Sequence, residues 1–163
     1  MRIADFIPEE RIACAVKAAS KKRALEVLAA LLATADPRLD QREIFDRLMA
    51  RERLGSTALG HGVAIPHSRM EGVDRELGAL VRLVEPVDFD AADEGKVDLL
   101  VALLVPEAST REHLEVLAQL AEMLRDPAFR EALRHGASPA AVHRLLEEWD
   151  RAHPQRQAAA PGG

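Results

Sequence analysis

Hydrophobic and polar positions alternate along the chain with two periods. Five stretches place a hydrophobic residue every three or four positions, the period of a helix that packs on one side. A polar residue able to cap a helix N-terminus precedes each stretch, and four of the five helices also end at a glycine, a proline or both. The five helices are predicted to begin after Ser20, Asp40, Ser109, Asp126 and Ser138.

The remaining hydrophobic runs have the length of strands. Residues 97–105 are almost continuously apolar, which is typical of a central strand covered on both faces. Residues 12–16 and 77–84 are further candidates, and residues 63–65 form a short run before Pro66. Strands interleaved with helices predict an α/β fold with helices on both faces of one sheet.

The stretch between residues 51 and 74 contains most of the residues that could bind a ligand or react with one. Gly55, Gly60 and Gly62 predict a loop, and small or hydroxyl residues at 55–57 leave backbone N–H groups open, as in an anion-binding concavity. Pro66 lacks an N–H group, so we expect it to end the strand at 63–65. His67 would then project beside the glycine loop, and an imidazole next to an anion pocket indicates chemistry on phosphate.

This stretch closely resembles the phosphorylation motif of IIA components of the bacterial phosphoenolpyruvate-dependent phosphotransferase system. The resemblance is to the nitrogen-regulatory branch, which is related to the fructose/mannitol IIA domains, and it rests on Gly55-Ser56-Thr57 followed by residues 60–67. Residues 89–91, 97–106 and 113–114 match in the same order, so the resemblance spans roughly 3 to 150. It implies a mixed sheet of about five strands flanked by helices, with phosphorylation on Nε2 of His67.

The resemblance also implies the site around His67. An unperturbed imidazole, with a pKa near ~6.5, is largely neutral at pH 7, and its second nitrogen should donate to a backbone carbonyl. His113 and Arg51 match active-site positions of the mannitol-type domains and are expected to contact the phosphoryl group. Ser56 and Thr57 are expected to bind the phosphate, and Ser68, which stands where the family usually has glycine, adds a further hydroxyl.

Each of these residues also has a purely structural interpretation. A lone histidine after a strand is commonly structural, His113 could bond solvent at a helix start, and Arg51 could hold the loop through a carboxylate. Hydroxyls at positions 56 and 57 are common in turns for local reasons. The basic first turn at residues 21–23 is either a solvated helix start or a docking patch for an acidic partner.

Two other kinds of site fit poorly. Gly55 and Gly60 have the spacing of half a nucleotide phosphate loop, but His61-Gly62 stands where Lys-Ser/Thr is required. His61 and His67 could share a face of a strand and hold a metal, yet no cysteine or nearby carboxylate completes the set. We therefore expect neither a metal nor a cofactor.

Composition limits the class of protein. The 163 residues predict one domain over residues 1–150 and a disordered tail over 151–163, which is rich in proline, alanine, glutamine and glycine. A net charge of −5 argues against nucleic-acid binding, which requires a basic face. A single cysteine, Cys14, the absence of a signal-peptide core and short apolar runs favour a cytoplasmic protein without membrane insertion.

The leading hypothesis is a phosphoryl carrier and regulator that accepts phosphate on His67 from an HPr-like phosphocarrier protein. Its targets would be kinases, transporters or enzymes. One alternative is a sugar-transport IIA subunit of the fructose/mannitol type that passes phosphate to a IIB partner. Another is a regulatory binding module that is never modified. The lack of a fused IIB or membrane segment favours regulation over transport.

Overall fold

The computed structural model of the chain describes residues 1–109 and 111–154. Its helices are α1 (Ile3–Phe6), α2 (Lys21–Ala33), α3 (Gln41–Arg53), α4 (Arg111–Arg125), α5 (Pro127–His135) and α6 (Pro139–Ala152). Its strands are β1 (Ile12–Val16), β2 (Ala58–Gly60), β3 (Val63–Ala64), β4 (His67–Met70), β5 (Leu77–Val87) and β6 (Val97–Pro106). One turn of 3₁₀ helix (Glu9–Arg11) precedes β1.

Side-chain caps set the starts of the longer helices. The Ser20 side chain accepts a hydrogen bond from the third backbone N–H of α2, and Ser138 does the same for α6. Asp126 caps α5 in the same manner, and Asp40 caps α3 through its second backbone N–H, that of Arg42. Such a cap contributes about 1 kcal/mol by satisfying an N–H group that the helix leaves free. These four helix starts are confirmed.

The sheet is mixed, with β6 at its centre. Its strand order is β1-β5-β6-β3-β2, and β4 also pairs with β6. β5 runs antiparallel to β6, whereas β3 and β4 both lie parallel to its other edge. The predicted fold class is confirmed, with six strands rather than about five, because β2 and β4 are short strands within and just after the motif.

Both faces of the sheet are covered. Leu100, Ala102 and Leu104 of β6 belong to a buried cluster with residues of α2 and α3. The alternate residues Leu99, Val101, Leu103 and Val105 pack in a second cluster with α1, α4, α5 and α6. This two-sided burial explains the continuous apolar run of β6 and confirms the predicted helices on both faces.

β3 ends just before Pro66, as the sequence predicted, but the sheet edge continues beyond the proline as a second short strand. β3 pairs Ala64 with Leu100, and β4 resumes with His67 opposite Leu103 in the same register. The carbonyl of Pro66 still accepts a hydrogen bond from Leu103 at 3.0 Å, although proline offers no N–H. His67 is therefore the first residue of a strand, and its backbone is fixed by the centre of the sheet.

The predicted loop at 55–62 likewise contains β2, which forms a hairpin with β3. Its tip has positive φ at Gly60, His61 and Gly62. An added Cβ at Gly62 would lie 2.6 Å from Nη2 of Arg134, which donates to the His61 carbonyl and to Asp98. Glycine at 62 thus allows an arginine of α5 to hold the hairpin against β6.

The two ends of the described chain are joined. The buried carboxylate of Asp150 in α6 accepts hydrogen bonds from the backbone N–H groups of Ile3 and Ala4, each at 2.9 Å. Helix α6 continues to Ala152, beyond the predicted domain end at 150, and residues 155–163 of the predicted tail lie outside the described residues. None of the described helices is long and apolar enough to cross a membrane.

Candidate functional site

A cleft of about 530 Å³ lies where the end of α3, the start of β4 and the first turn of α4 meet. Four of the residues predicted for the site line it together: Arg51, His67, Ser68 and His113. They are far apart in sequence, and the order of strands and helices brings them to one end of the sheet.

His67 is half-buried and has a fixed tautomer. Its Nδ1 lies 2.7 Å from the carbonyl oxygen of Ile65. A carbonyl oxygen can only accept, so Nδ1 carries the proton and Nε2 keeps its lone pair. Burial lowers the pKa of His67, and the Arg51 guanidinium adds to this, against the raising effects of the Ile65 hydrogen bond and of Glu52. The neutral, nucleophilic form is therefore favoured at pH 7.

His113 lies beside His67, with their ring centroids 5.5 Å apart and the planes tilted by 50°. Among the described residues, its buried Nδ1 has no hydrogen-bond partner. Burial lowers the pKa of His113, and His67, Arg69 and Arg51 lower it further by charge repulsion. A neutral imidazole has one N–H donor and one acceptor, and His113 lines the cleft.

Arg51 connects the cleft to the glycine loop. Its Nη1 donates to the carbonyl of Gly55 at 2.8 Å, so it holds the loop through a carbonyl, not through the carboxylate considered from the sequence. A guanidinium carries five N–H donors, and this bond leaves others for an anion in the cleft. Arg51 thus holds the loop, and it also lines the cleft.

The structure adds charged residues that the sequence analysis missed. Arg47, Arg69 and Glu107 also line the cleft. For two of them, the spacing from a predicted site residue could have indicated that they lie near the cleft. Arg47 lies four residues before Arg51 on the same helix face, and Arg69 lies two residues after His67 on the same face of a strand. Glu107 follows β6 and had no such signal. In the described ranges, no three His, Cys, Asp or Glu side chains gather as metal ligands.

Ser56 and Thr57 are not among the described residues that line the cleft. The Ser56 hydroxyl donates to the carbonyl of Phe89 at 2.7 Å. Thr57 is buried, and its hydroxyl donates to the carboxylate of Glu52. Both hydroxyls, which were expected to bind the phosphate, are therefore engaged inside the protein.

Three backbone N–H groups of the loop are engaged as well. Thr57 N–H donates to Glu52 at 3.2 Å, Ala58 N–H to the Ser56 hydroxyl at 3.1 Å, and Gly55 N–H to the Glu52 carbonyl at 3.1 Å. Two of the three backbone N–H groups expected to form an anion-binding concavity at 55–57 are thus bonded within the protein. The carboxylate of Glu52 takes the place that an external anion would occupy.

Lys21 matches neither interpretation of the basic first turn of α2. Its side chain is only 16% exposed, and its Nζ lies 3.0 Å from Oε1 of Glu52. Lys22 and Arg23 are more exposed. The basic turn therefore contains one internal counter-ion for Glu52 and two surface cations.

Comparison with known proteins identifies the class to which this fold and cleft belong. Residues 5–149 match the sequence model of the family described as phosphoenolpyruvate-dependent sugar phosphotransferase system, EIIA 2. The match covers most of the chain, so the chain belongs to this EIIA family, as the resemblance of its motif predicted.

Within the family, the chain is similar to nitrogen regulatory proteins. The protein of that name from Pseudomonas aeruginosa is 44% identical over 146 residues, which cover 90% of this chain and 95% of the relative. The crystal structure of nitrogen regulatory protein IIA-Ntr from Neisseria meningitidis superposes with a TM-score of 0.83 at 44% identity, covering 88% of this chain and 98% of that one. A fructose-specific EIIA component from Haloferax volcanii is 35% identical over 147 residues, which cover 90% of this chain and 95% of the relative.

Proposed function

We propose that this chain is a cytoplasmic phosphoryl carrier that accepts phosphate on Nε2 of His67 from an HPr-like phosphocarrier protein. Its phosphorylation state would then control partner proteins. The observation that carries the proposal is the hydrogen bond between Nδ1 of His67 and the Ile65 carbonyl, which leaves Nε2 unprotonated in a cleft shared with Arg51 and His113.

The transfer needs no metal or cofactor on the acceptor. The lone pair of Nε2 attacks the phosphorus of the donor's phosphohistidine, a P–N bond forms on His67, and the donor's P–N bond breaks with its electron pair returning to the donor ring. The proton on Nδ1 stays in its bond to Ile65. Positioning and charge stabilisation lower the barrier in such a transfer, and we propose that Arg51 and His113, which line the cleft, provide them. The Ser68 hydroxyl also lies at the cleft, but it donates to the carbonyl of Arg69 at 2.9 Å.

The rim of the cleft fits a protein donor. Leu54 lines the cleft and is 85% exposed, and Leu114, the neighbour of His113, is 67% exposed. Exposed leucines beside a reactive group are typical of a surface that is covered by a partner. We propose that the donor docks over both leucines and that any regulated target covering His67 competes with it.

Phosphorylation would change that surface strongly. It adds roughly −1.5 to −2 units of charge beside exposed apolar residues, so an interface packed there must neutralise the charge or separate. The relatives that bear the name nitrogen regulatory protein support this regulatory output. The similarity to a fructose-specific EIIA component supports the second candidate, a transport subunit that passes phosphate to a IIB partner.

The phosphoryl-carrier assignment is tested by labelling. Incubation with phosphoenolpyruvate, the first enzyme of the system with its Mg²⁺, and the phosphocarrier should add one acid-labile phosphate. His67→Ala should abolish labelling and His113→Ala should slow it. His135→Ala is the matched control, because His135 is a well-exposed histidine on α5 that pairs with Glu131. Equal labelling of the His67 variant would refute the assignment.

The regulatory output needs a separate experiment. Pull-downs with wild-type protein, His67→Ala and the charge mimic His67→Glu should recover different partners, and the carrier should compete with any partner that covers the cleft. The same partners in all three would contradict a phosphorylation switch. Efficient passage of phosphate to a sugar-specific IIB protein would establish the transport function instead.

A further inference from the structure

The loop between α3 and β2 is built around an internal carboxylate. Glu52, the penultimate residue of α3, has a side chain that is 1% exposed. One carboxylate oxygen accepts from the backbone N–H of Thr57 at 3.2 Å, and the other accepts from the Thr57 hydroxyl. The Nζ of Lys21 lies 3.0 Å from the first oxygen and supplies the opposite charge. A buried carboxylate with these partners fixes the loop in one arrangement.

Two further hydrogen bonds connect Thr57 to the imidazole of His67. The Ile65 N–H donates to the carbonyl of Thr57 at 3.1 Å across the β2–β3 hairpin. The carbonyl of Ile65 then accepts the Nδ1–H of His67 at 2.7 Å. A continuous series of bonds therefore runs from Glu52 through Thr57 and Ile65 to the nitrogen that sets the tautomer of His67.

We propose that Glu52 is a positioning residue for phosphoryl transfer, acting through Thr57 and Ile65 on the orientation and tautomer of His67. The inference rests on the proposed function of His67. If the bonds from Glu52 are lost, the Thr57–Ile65 pairing loosens and the Ile65 carbonyl no longer holds Nδ1–H in one direction. In part of the molecules the proton then resides on Nε2, where no lone pair remains for attack.

This role differs from substrate contact in a measurable way. Glu52 and Thr57 are buried, and neither is among the described residues lining the cleft over which the donor would dock. Loss of this series of hydrogen bonds, which we call the relay, should therefore lower the maximal transfer rate. It should leave the apparent KM for the phosphocarrier nearly unchanged. A residue that touches the donor would change KM instead.

The test compares Thr57→Val, which has almost the same shape but no hydroxyl, with Thr57→Ser, which keeps it. Glu52→Gln removes the charge at nearly constant shape. Thr34→Val is the matched control, because the Thr34 hydroxyl bonds only a local carbonyl at the exposed end of α2. In the unmodified proteins, ¹⁵N NMR of the His67 ring reports the fraction with the proton on Nδ1. With the phosphocarrier, a concentration series gives the maximal rate and the KM.

We expect Thr57→Val and Glu52→Gln to lower the maximal rate by about tenfold or more, the cost of a misoriented reacting group. Their KM should stay within about twofold of the wild-type value, which marks a loss in the transfer step alone. Both should show a mixed His67 tautomer. Thr57→Ser should recover most of the rate, and Thr34→Val should match the wild type.

A folded Thr57→Val protein with the wild-type tautomer and rate would overturn the inference, as would a change confined to KM. If Glu52→Gln does not fold, the comparison of valine with serine at position 57 decides alone. If the wild type takes no phosphate, the proposed function fails, and the tautomer comparison still decides whether the relay positions His67.

Discussion

The ion pair between Lys21 and Glu52 gives a stability prediction with a definite magnitude. Replacing Lys21 by methionine removes the cation 3.0 Å from a carboxylate that is 1% exposed, and keeps most of the side-chain volume. Removing one partner of a buried pair costs about 3–5 kcal/mol, because the remaining charge is left without compensation. Here Glu52 keeps its two bonds from Thr57, so we expect a cost at the lower end of this range, about 3 kcal/mol.

Urea unfolding followed by circular dichroism measures this change as a shift of the midpoint at constant slope. The control is Arg42→Met. Arg42 forms an exposed pair with Asp46 at 3.4 Å, and its loss should cost less than about 0.5 kcal/mol. The double variant Lys21→Met/Glu52→Gln should recover part of the loss, since neither charge then stays buried alone. If Lys21→Met costs no more than Arg42→Met, the argument from burial is wrong.

Three further predictions follow from the site, the joined chain ends and the rim. Because burial lowers the pKa of His67, phosphate acceptance should persist at pH 6.5 and decline only at more acid pH; an NMR titration of the ring measures the midpoint. As the pH falls, His67 is protonated in the unfolded chain before it is protonated in the folded protein. Neutral His67 therefore does not reduce the free energy of unfolding above about pH 6.5, and this free energy decreases as the pH falls below that value. Asp150→Ala leaves two buried N–H groups of α1 unpaired and should lower the free energy of unfolding by about 2–4 kcal/mol, with faster amide exchange in α1. Leu54→Ser and Leu114→Ser should each raise the KM for the phosphocarrier by roughly tenfold and leave the maximal rate unchanged.

Each of these has a control and an outcome that contradicts it. A titration midpoint for His67 at or above 6.5 would show that burial does not dominate its pKa. For Asp150, the control is Asp46→Ala in an exposed pair, and an equal effect of the two changes would remove the special role of the joined ends. For the leucines, the control is Val84→Ser. Val84 is exposed on β5 and is not among the described residues that line the cleft. If this change raises KM as much as the leucine changes do, the donor does not dock at the rim.

Most of the scaffold could be predicted from the sequence because its signals are local or periodic. The caps at Ser20, Asp40, Asp126 and Ser138 depend on hydrogen bonds to residues two or three positions away. The continuous apolar run of β6 indicated a central strand. The convergence of Arg51, His67 and His113 followed from the resemblance of the motif, not from spacing, since no local rule relates residues so far apart.

The details that escaped prediction depend on contacts between distant segments. Lys21 and Lys22 are the same residue type in the same helical turn, yet one is an internal counter-ion and the other lies at the surface. The contact of Lys21, at the start of α2, with Glu52, at the end of α3, distinguishes them. The continuation of the sheet past Pro66 depends in the same way on β6, whose parallel pairing accepts one residue without an N–H group.

The glycine loop shows how a correct motif can be assigned the wrong anion. Backbone N–H groups and hydroxyls at 55–57 predict that something negative binds there, and the carboxylate of Glu52 is the negative group bound by the N–H and hydroxyl of Thr57. The sequence pattern cannot distinguish an external phosphate from a carboxylate five residues upstream, because the same donors satisfy both. The N–H and hydroxyl of Thr57 are therefore not available to the phosphoryl group of the proposed reaction. Arg47, Arg51 and Arg69 line the cleft of a chain whose net charge is −5, so positive charge is concentrated where the phosphoryl group would arrive, while the loop keeps His67 oriented.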